Sequence, residues 1–187
     1  KTVTLKDSTT KILRLFESTG YRQFPILNDL GQVIGIRMLD EIHRTVKRQN
    51  WVVLMAGGLG SRLGELTKNC PKPLLKVGEK PLLEIILENF IDQGFCKFFI
   101  SVNYKAQMIE EYFGFGEKWN VEIQYLREKK KLGTAGSLSL LPGVPDYPMI
   151  VMNGDLLTKV NFSKLIDFHN EYEAYGTMCV REFEFQV

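Results

Sequence analysis

Five apolar residues that end in glycine constrain this chain more than any other feature. Trp51-Val52-Val53-Leu54-Met55 contains no polar residue and runs directly into Ala56-Gly57-Gly58-Leu59-Gly60-Ser61-Arg62-Leu63-Gly64. An unbroken apolar run of this length suits a strand buried on both faces, the usual situation in a parallel sheet. The glycines after it allow close backbone approach to a ligand, so that their N–H groups can surround phosphate oxygens.

Downstream, strand and helix signals alternate. Pro81 stands at an expected first helical position, Leu82, Leu83, Ile86, Leu87 and Phe90 form an apolar face, and Gly94 closes the helix. Strands are expected over 97–102, 121–125 and 149–152, with a short helix over 107–112. This alternation predicts an α/β domain with a mostly parallel sheet and helices on both faces. In such open sheets, ligands bind outside the carboxyl ends of the strands.

Residues 1–46 read as a separate, smaller α+β unit. Ser8 can cap a helix whose apolar positions are Ile12, Leu13, Leu15 and Phe16, with Gly20 as its stop. A strand over 24–27, a turn at Asn28-Asp29-Leu30-Gly31 and a strand over 33–36 follow, and a second helix begins near Leu39. The polar run Lys47-Arg48-Gln49-Asn50 is the expected linker, leaving 51–187 as the second domain.

The bulk numbers exclude some classes. A net charge of +2 lacks the basic excess of a nucleic-acid binder, and no apolar stretch reaches the ~20 residues of a membrane helix. Cys70, Cys96 and Cys179 form no CxxC pair and suit reduced thiols in a cytoplasmic protein. The start at Lys1 shows no secretory signal and reads as a piece of a longer protein.

Two glycine fingerprints fail on the loop. Leu63 stands where a dinucleotide motif wants glycine, and no Gly-Lys-Ser/Thr is present for a P-loop. A lysine between prolines, as in Pro71-Lys72-Pro73, taken alone reads as a surface charge, and Asn153-Gly154-Asp155 alone reads as a turn. Together, however, the string AGGLGSRLGELTKNCPKPLLKVGEKPLLE closely resembles the signature of the sugar-1-phosphate nucleotidyltransferase family, and the resemblance continues more sparsely to about residue 180. It implies a Rossmann-like nucleotidyltransferase domain, of which this chain would hold the N-terminal, nucleotide-binding part.

The resemblance also implies roles. Ala56, Gly57, Gly58 and Gly60 would hold the nucleotide, Ser61 and Arg62 the β- and γ-phosphates, and Lys72 the α-phosphate. Asp155, following a strand, would be a ligand of Mg²⁺, a hard ion that prefers oxygen. Gly133-Thr134-Ala135-Gly136 resembles the base-binding loop. Arg62 and Lys72 are the expected catalytic cations, because phosphoryl transfer relies on charges aimed at the reacting phosphates. Glu128 occupies the position where uridylyl- and thymidylyltransferases commonly carry Gln. A carboxylate can accept both the N1–H and the N2 amine of guanine, so Glu128 points towards GTP. The resemblance thus implies GTP and a sugar 1-phosphate as partners, with glucosamine or mannose 1-phosphate expected by analogy with bacterial amino-sugar-activating enzymes that place a CBS segment ahead of such a domain. If Glu128 does not face the base, uridylyl or cytidylyl transfer remains.

Within the first unit, TVTLKDSTTKILRLFESTGYRQFPILNDLGQVIGIRMLDEI resembles a single CBS motif, with Met38 and Glu41 where that family shows Thr and Asp for a ligand ribose. This implies a packing half-module through which the chain could form a homo-oligomer. A non-catalytic CBS-type nucleotide sensor is the third reading, and a sensor has no need of Arg62, Lys72 and Asp155 together. The family normally continues past residue 187 with acceptor-binding residues and a second metal Asp, so the 187-residue chain is expected to bind nucleotide weakly and turn over little.

Overall fold

The computed structural model describes residues 1–7, 9–39, 47–58, 60, 64–130, 132–133 and 135–180. Ser8, the expected helix beyond Leu39 with Glu41 and His43, Ser61, Arg62 and Thr134 lie outside the described residues, as does the side chain of Leu13. The chain forms two compact units, the second beginning at Thr158.

The first unit opens with strand β1 (Val3–Thr4), helix α1 (Thr9–Thr19) and strands β2 (Gln23–Leu27) and β3 (Val33–Met38). β1 pairs parallel with β2, and β3 pairs antiparallel with β2. The helix forms because Ile12 and Phe16 fall on one face. They pack with Val3 and Phe24, the Phe16 and Phe24 rings lying 4.8 Å apart. Gly20 ends it with a positive φ of 69°, its N–H donating to the Phe16 carbonyl at 2.9 Å. In the β2–β3 turn, Asn28 Oδ1 accepts from the Leu30 and Gln32 amides at 3.0 and 2.9 Å.

The main sheet contains β4 (Arg48–Met55), β7 (Phe95–Val102), β8 (Glu122–Arg127) and β9 (Ile150–Asn153) in the order β8-β7-β4-β9, all parallel. A two-stranded ribbon of β5 (Lys76–Val77) and β6 (Lys80–Pro81) stands apart from it. Between the strands come helices α2 (Glu65–Lys68), α3 (Leu82–Ile91) and α4 (Ala106–Phe113), together with a 3₁₀ segment over Gly136–Leu140. Val52, Val53 and Leu54 are fully buried, as a central parallel strand requires. On one face Val53, Phe99 and Leu126 pack against Leu138, Leu141 and Met149. Helix α3 packs through Phe90, whose ring meets those of Phe95 and Phe98 edge-on at 5.5 and 6.3 Å. Each such fully buried side chain contributes ~1.5–3 kcal/mol. The expected first helical residue, Pro81, is the N-cap instead.

The expected linker differs from what is observed. Residues 48–50 belong to β4, although they are polar. Tertiary partners supply the reason: the Arg48 amide donates to the Gly94 carbonyl at 2.8 Å, its guanidinium lies over the Phe95 ring, and buried Asn50 donates from Nδ2 to the Pro148 carbonyl at 2.7 Å.

A charged network ties α3 to α4. Buried Glu84 accepts from Tyr112 Oη at 2.6 Å and Lys118 Nζ at 3.1 Å. Burial opposes its charge, yet these two bonds prevail and hold the carboxyl below its ordinary range, while the Tyr112 phenol is pushed up to about 12, mainly by its bond to Glu84.

The second unit is described by itself. Helix α5 (Phe162–Glu171) is capped by Asn161, whose Oδ1 accepts from the Lys164 amide at 2.9 Å. His169 Nδ1 lies 3.0 Å from Thr177 Oγ1 within this unit, and Asp167 and Glu171 are exposed. Among the described residues, no helix is long and apolar enough to cross a membrane.

Candidate active site

The chain passes from β4 to β7 and β8 on one side, then returns to β9 on the other side of β4. The crevice at the carboxyl ends of β4 and β9 is therefore a topological switch point, the place where open α/β sheets bind ligands. The registers Met55↔Ser101, Val102↔Arg127 and Met55↔Asn153 align all four strand ends. Ala56, Asn103, Glu128 and Gly154 each stand one residue beyond a strand, along a single edge.

Gly154 closes one side of this crevice. Its N–H donates to the Met55 carbonyl at 2.9 Å, and a Cβ there would lie 3.1 Å from that oxygen and 3.2 Å from the Ala56 Cβ. The next residue, Asp155, meets Lys72 Nζ at 2.5 Å through Oδ2. Lys72 opens a 3₁₀ turn (Lys72–Leu74) that follows Pro71 in extended conformation and contains buried Pro73, so prolines on both sides restrict the backbone that carries this lysine.

Glu128 lies on the opposite side. A Cβ at Gly57 would come within 3.1 Å of Glu128 Oε1, so the glycine gives that oxygen room beside the loop. Glu128 Oε2 accepts from the Leu132 amide at 3.3 Å, and the Glu128 backbone carbonyl accepts from Asn103 Nδ2 at 3.3 Å. Gly133 takes a φ of 85°, and Gly136 lets Leu132 approach within 2.6 Å of where its own Cβ would stand. The loop after β8 thus folds back onto the carboxylate.

Gly57 therefore stands beside the Glu128 carboxylate and Gly60 beside Lys72, which pairs with Asp155. Backbone donors, a fixed ammonium and an accessible carboxylate at one sheet edge can receive a polyanion and a hard cation together. Among the described residues there is no cluster of three or more His, Cys, Asp or Glu side chains to hold a metal. Asp155 could supply one oxygen ligand, with phosphate and water oxygens completing the shell, which is how Mg²⁺ is commonly bound at phosphate sites.

Residues 51–184 match the profile of the family described as Nucleotidyl transferase. This chain belongs to the nucleotidyl transferase family. It is 32% identical over 136 residues to mannose-1-phosphate guanyltransferase of Hypocrea jecorina, covering 71% of this chain and 37% of that relative. It is 34% identical over 140 residues to D-glycero-alpha-D-manno-heptose 1-phosphate guanylyltransferase of Campylobacter jejuni, covering 70% of this chain and 63% of the relative. The chain thus spans less than two thirds of the length of either curated relative. Among solved structures, HddC of Yersinia pseudotuberculosis, complexed with GMP-PN, superposes with a TM-score of 0.55 at 30% identity, over 64% of this chain and 54% of the other.

In this member of the family, Ala56, Gly57, Gly60, Lys72, Glu128 and Asp155 gather at one edge of the sheet. Gly58 is exposed, with nothing within 4 Å of a Cβ position. Gly133 lies in the loop that folds onto Glu128. Three contributors escape sequence reading. Asn103 holds the Glu128 backbone, Tyr104 Oη donates towards the Thr67 and Lys68 carbonyls at 3.3 and 3.2 Å, and Lys105 Nζ donates to the Lys68 carbonyl at 2.6 Å. Their place directly after β7, at the carboxyl edge, is the signal that could have marked them.

Proposed function

We propose that this chain is the nucleotide-binding part of a Mg²⁺-dependent sugar-1-phosphate guanylyltransferase. The observation that carries this reading is the position of the Glu128 carboxylate against Gly57, in the same crevice as Lys72 and Asp155. Guanine presents two adjacent donors, N1–H and the N2 amine, and a carboxylate has the acceptors to take both. The guanylyltransferase relatives and the likeness to a GMP-PN complex support the same base.

In the reaction, an oxygen of the sugar 1-phosphate attacks the α-phosphorus of GTP, a P–O bond forms, and the bond to the β-phosphate breaks to release pyrophosphate. Lys72 lends positive charge to the α-phosphoryl oxygens as negative charge spreads there. The glycine-loop amides orient the nucleotide. A Mg²⁺ ion on Asp155 would neutralise phosphate charge and align the reacting groups. Arg62 and Ser61 are proposed for the β- and γ-phosphates, and Thr134 for the base side, from their positions in the motif.

The test is a calorimetric titration with GTP, UTP, CTP, dTTP and ATP in the presence of Mg²⁺. Preference for GTP is the expected result. Equal affinity for all five would remove guanine from the reading, and absence of binding would remove the nucleotide.

A further inference from the structure

Thr67 is one of the few buried polar side chains among the described residues, 4% exposed, and it lies at the root of the glycine loop. Its hydroxyl stands 3.0 Å from the Gly60 carbonyl and 3.2 Å from the Gly64 carbonyl. These two carbonyls bracket residues 61–63 in the chain, and one hydroxyl proton is shared between them. The Thr67 methyl fills the space beside Gly60: a Cβ at Gly60 would lie 2.8 Å from it and 3.4 Å from the Lys72 Cβ. Gly60, in the left-handed region at φ 65°, is thus held between Thr67 and Lys72.

The other end of Thr67 is anchored as well. Its own carbonyl and that of Lys68 receive the Tyr104 hydroxyl, and Lys105 Nζ reaches Lys68 from the same loop after β7. That loop also carries Asn103, which holds the Glu128 backbone. One short connection therefore braces the glycine loop through Thr67 and the opposite flank through Asn103.

We propose that Thr67 is a positioning residue for the triphosphate. By holding the Gly60 and Gly64 carbonyls at one hydroxyl, it fixes both ends of the segment between them, and its methyl sets Gly60 against Lys72, the cation proposed for the α-phosphate. Thr67 touches no substrate itself and acts through Gly60, Gly64 and Lys72. This inference rests on the nucleotide reading given above.

Thr67→Val keeps the shape and removes the hydroxyl, whereas Thr67→Ser keeps the hydroxyl and removes the methyl. With Mg²⁺ present, calorimetry on the full 187-residue chain is expected to show GTP binding about tenfold weaker in Thr67→Val, about 1.4 kcal/mol. Thr67→Ser should stay within about twofold of the parent, about 0.4 kcal/mol. A purely packing role would give the reverse order, because serine leaves the cavity beside Gly60. Tyr104→Phe, at a half-buried position, gives a second measurement if Thr67→Val fails to fold, and a several-fold loss of GTP affinity is expected there. Parent-like GTP binding by Thr67→Val, or by Tyr104→Phe if it alone folds, overturns the inference while leaving the nucleotide reading in place. No GTP binding by the parent chain overturns both.

Discussion

Lys72 Nζ lies 2.5 Å from Asp155 Oδ2, although 83 residues separate them in the chain. Their side chains remain 34% and 40% exposed, so solvent screens the pair and its worth is ~0–1 kcal/mol. Each charge serves as the other's counter-ion. A cation arriving at Asp155 competes with the Lys72 ammonium, and a polyanion arriving at Lys72 competes with the carboxylate. Removing the carboxylate in Asp155→Asn should therefore strengthen binding of metal-free GTP by up to about fivefold, about 1 kcal/mol. The same change should abolish the gain that Mg²⁺ brings. Titrations in EDTA and in Mg²⁺ measure both effects, and unchanged metal-free affinity would show that the pair takes no part in ligand exchange.

Replacing Glu128 with Gln turns a double acceptor into one acceptor and one donor. Oε1 of the new side chain can still accept from the Leu132 amide, so the loop should survive. The preference for GTP over UTP should fall about ten- to a hundredfold, in keeping with the ~1–3 kcal/mol carried by a good bidentate base contact. Parallel affinity measurements with the two nucleotides decide it. A preference that does not move would place the base elsewhere.

Gly154→Ala should damage the site without touching a charge. Its new Cβ would meet the Met55 carbonyl, the Ala56 Cβ and Leu83 Cδ1 within 3.3 Å, two of them parts of the strand edge itself. Overpacking of this kind costs ~1–3 kcal/mol. Gly143→Ala, where the added carbon meets nothing within 4 Å, is the matched control and should be close to neutral. Denaturant midpoints compare the two.

Alkaline stability should depend on Tyr125. Burial first, and then the nearby carboxylates Glu110 and Glu117, push its phenol from 10.0 up to about 12, while its hydroxyl donates to the Gly114 carbonyl at 2.7 Å. Because the folded-state value is raised, the stabilising contribution is complete below pH 10 and is lost as pH climbs towards 12. Tyr125→Phe should flatten that part of the stability–pH curve relative to the parent protein. Thermal unfolding of both proteins across this range provides the check, with Tyr112 shaping the same window in each.

The parts of the fold that the sequence made plain are those whose reason is local or periodic. Val52 to Met55 announce a buried strand by composition, the apolar spacing from Leu82 to Phe90 announces a helix, and Glu128 and Asp155 stand just beyond strands, where ligand-facing side chains gather. The strand extension back to Arg48 was hidden, because its polar residues are held by partners at Gly94, Phe95 and Pro148 that no local pattern reveals. Thr67, Asn103 and Tyr104 were hidden for a related reason. Their task is to bind backbone carbonyls of other segments, and a carbonyl leaves no trace in the side-chain sequence.

The pairing of β9 with β4 also sets an order of events. The two strands are joined by a long excursion through β7 and β8, and the Asn50–Pro148 contact alone closes 98 residues of chain. Long closures come late in folding, since their entropy must be lost before their contacts form. A nascent or partly refolded chain would thus acquire the glycine loop and Glu128 first and the carboxylate at Asp155 last. Closure of the Lys72–Asp155 pair then becomes a certificate that β9 has docked.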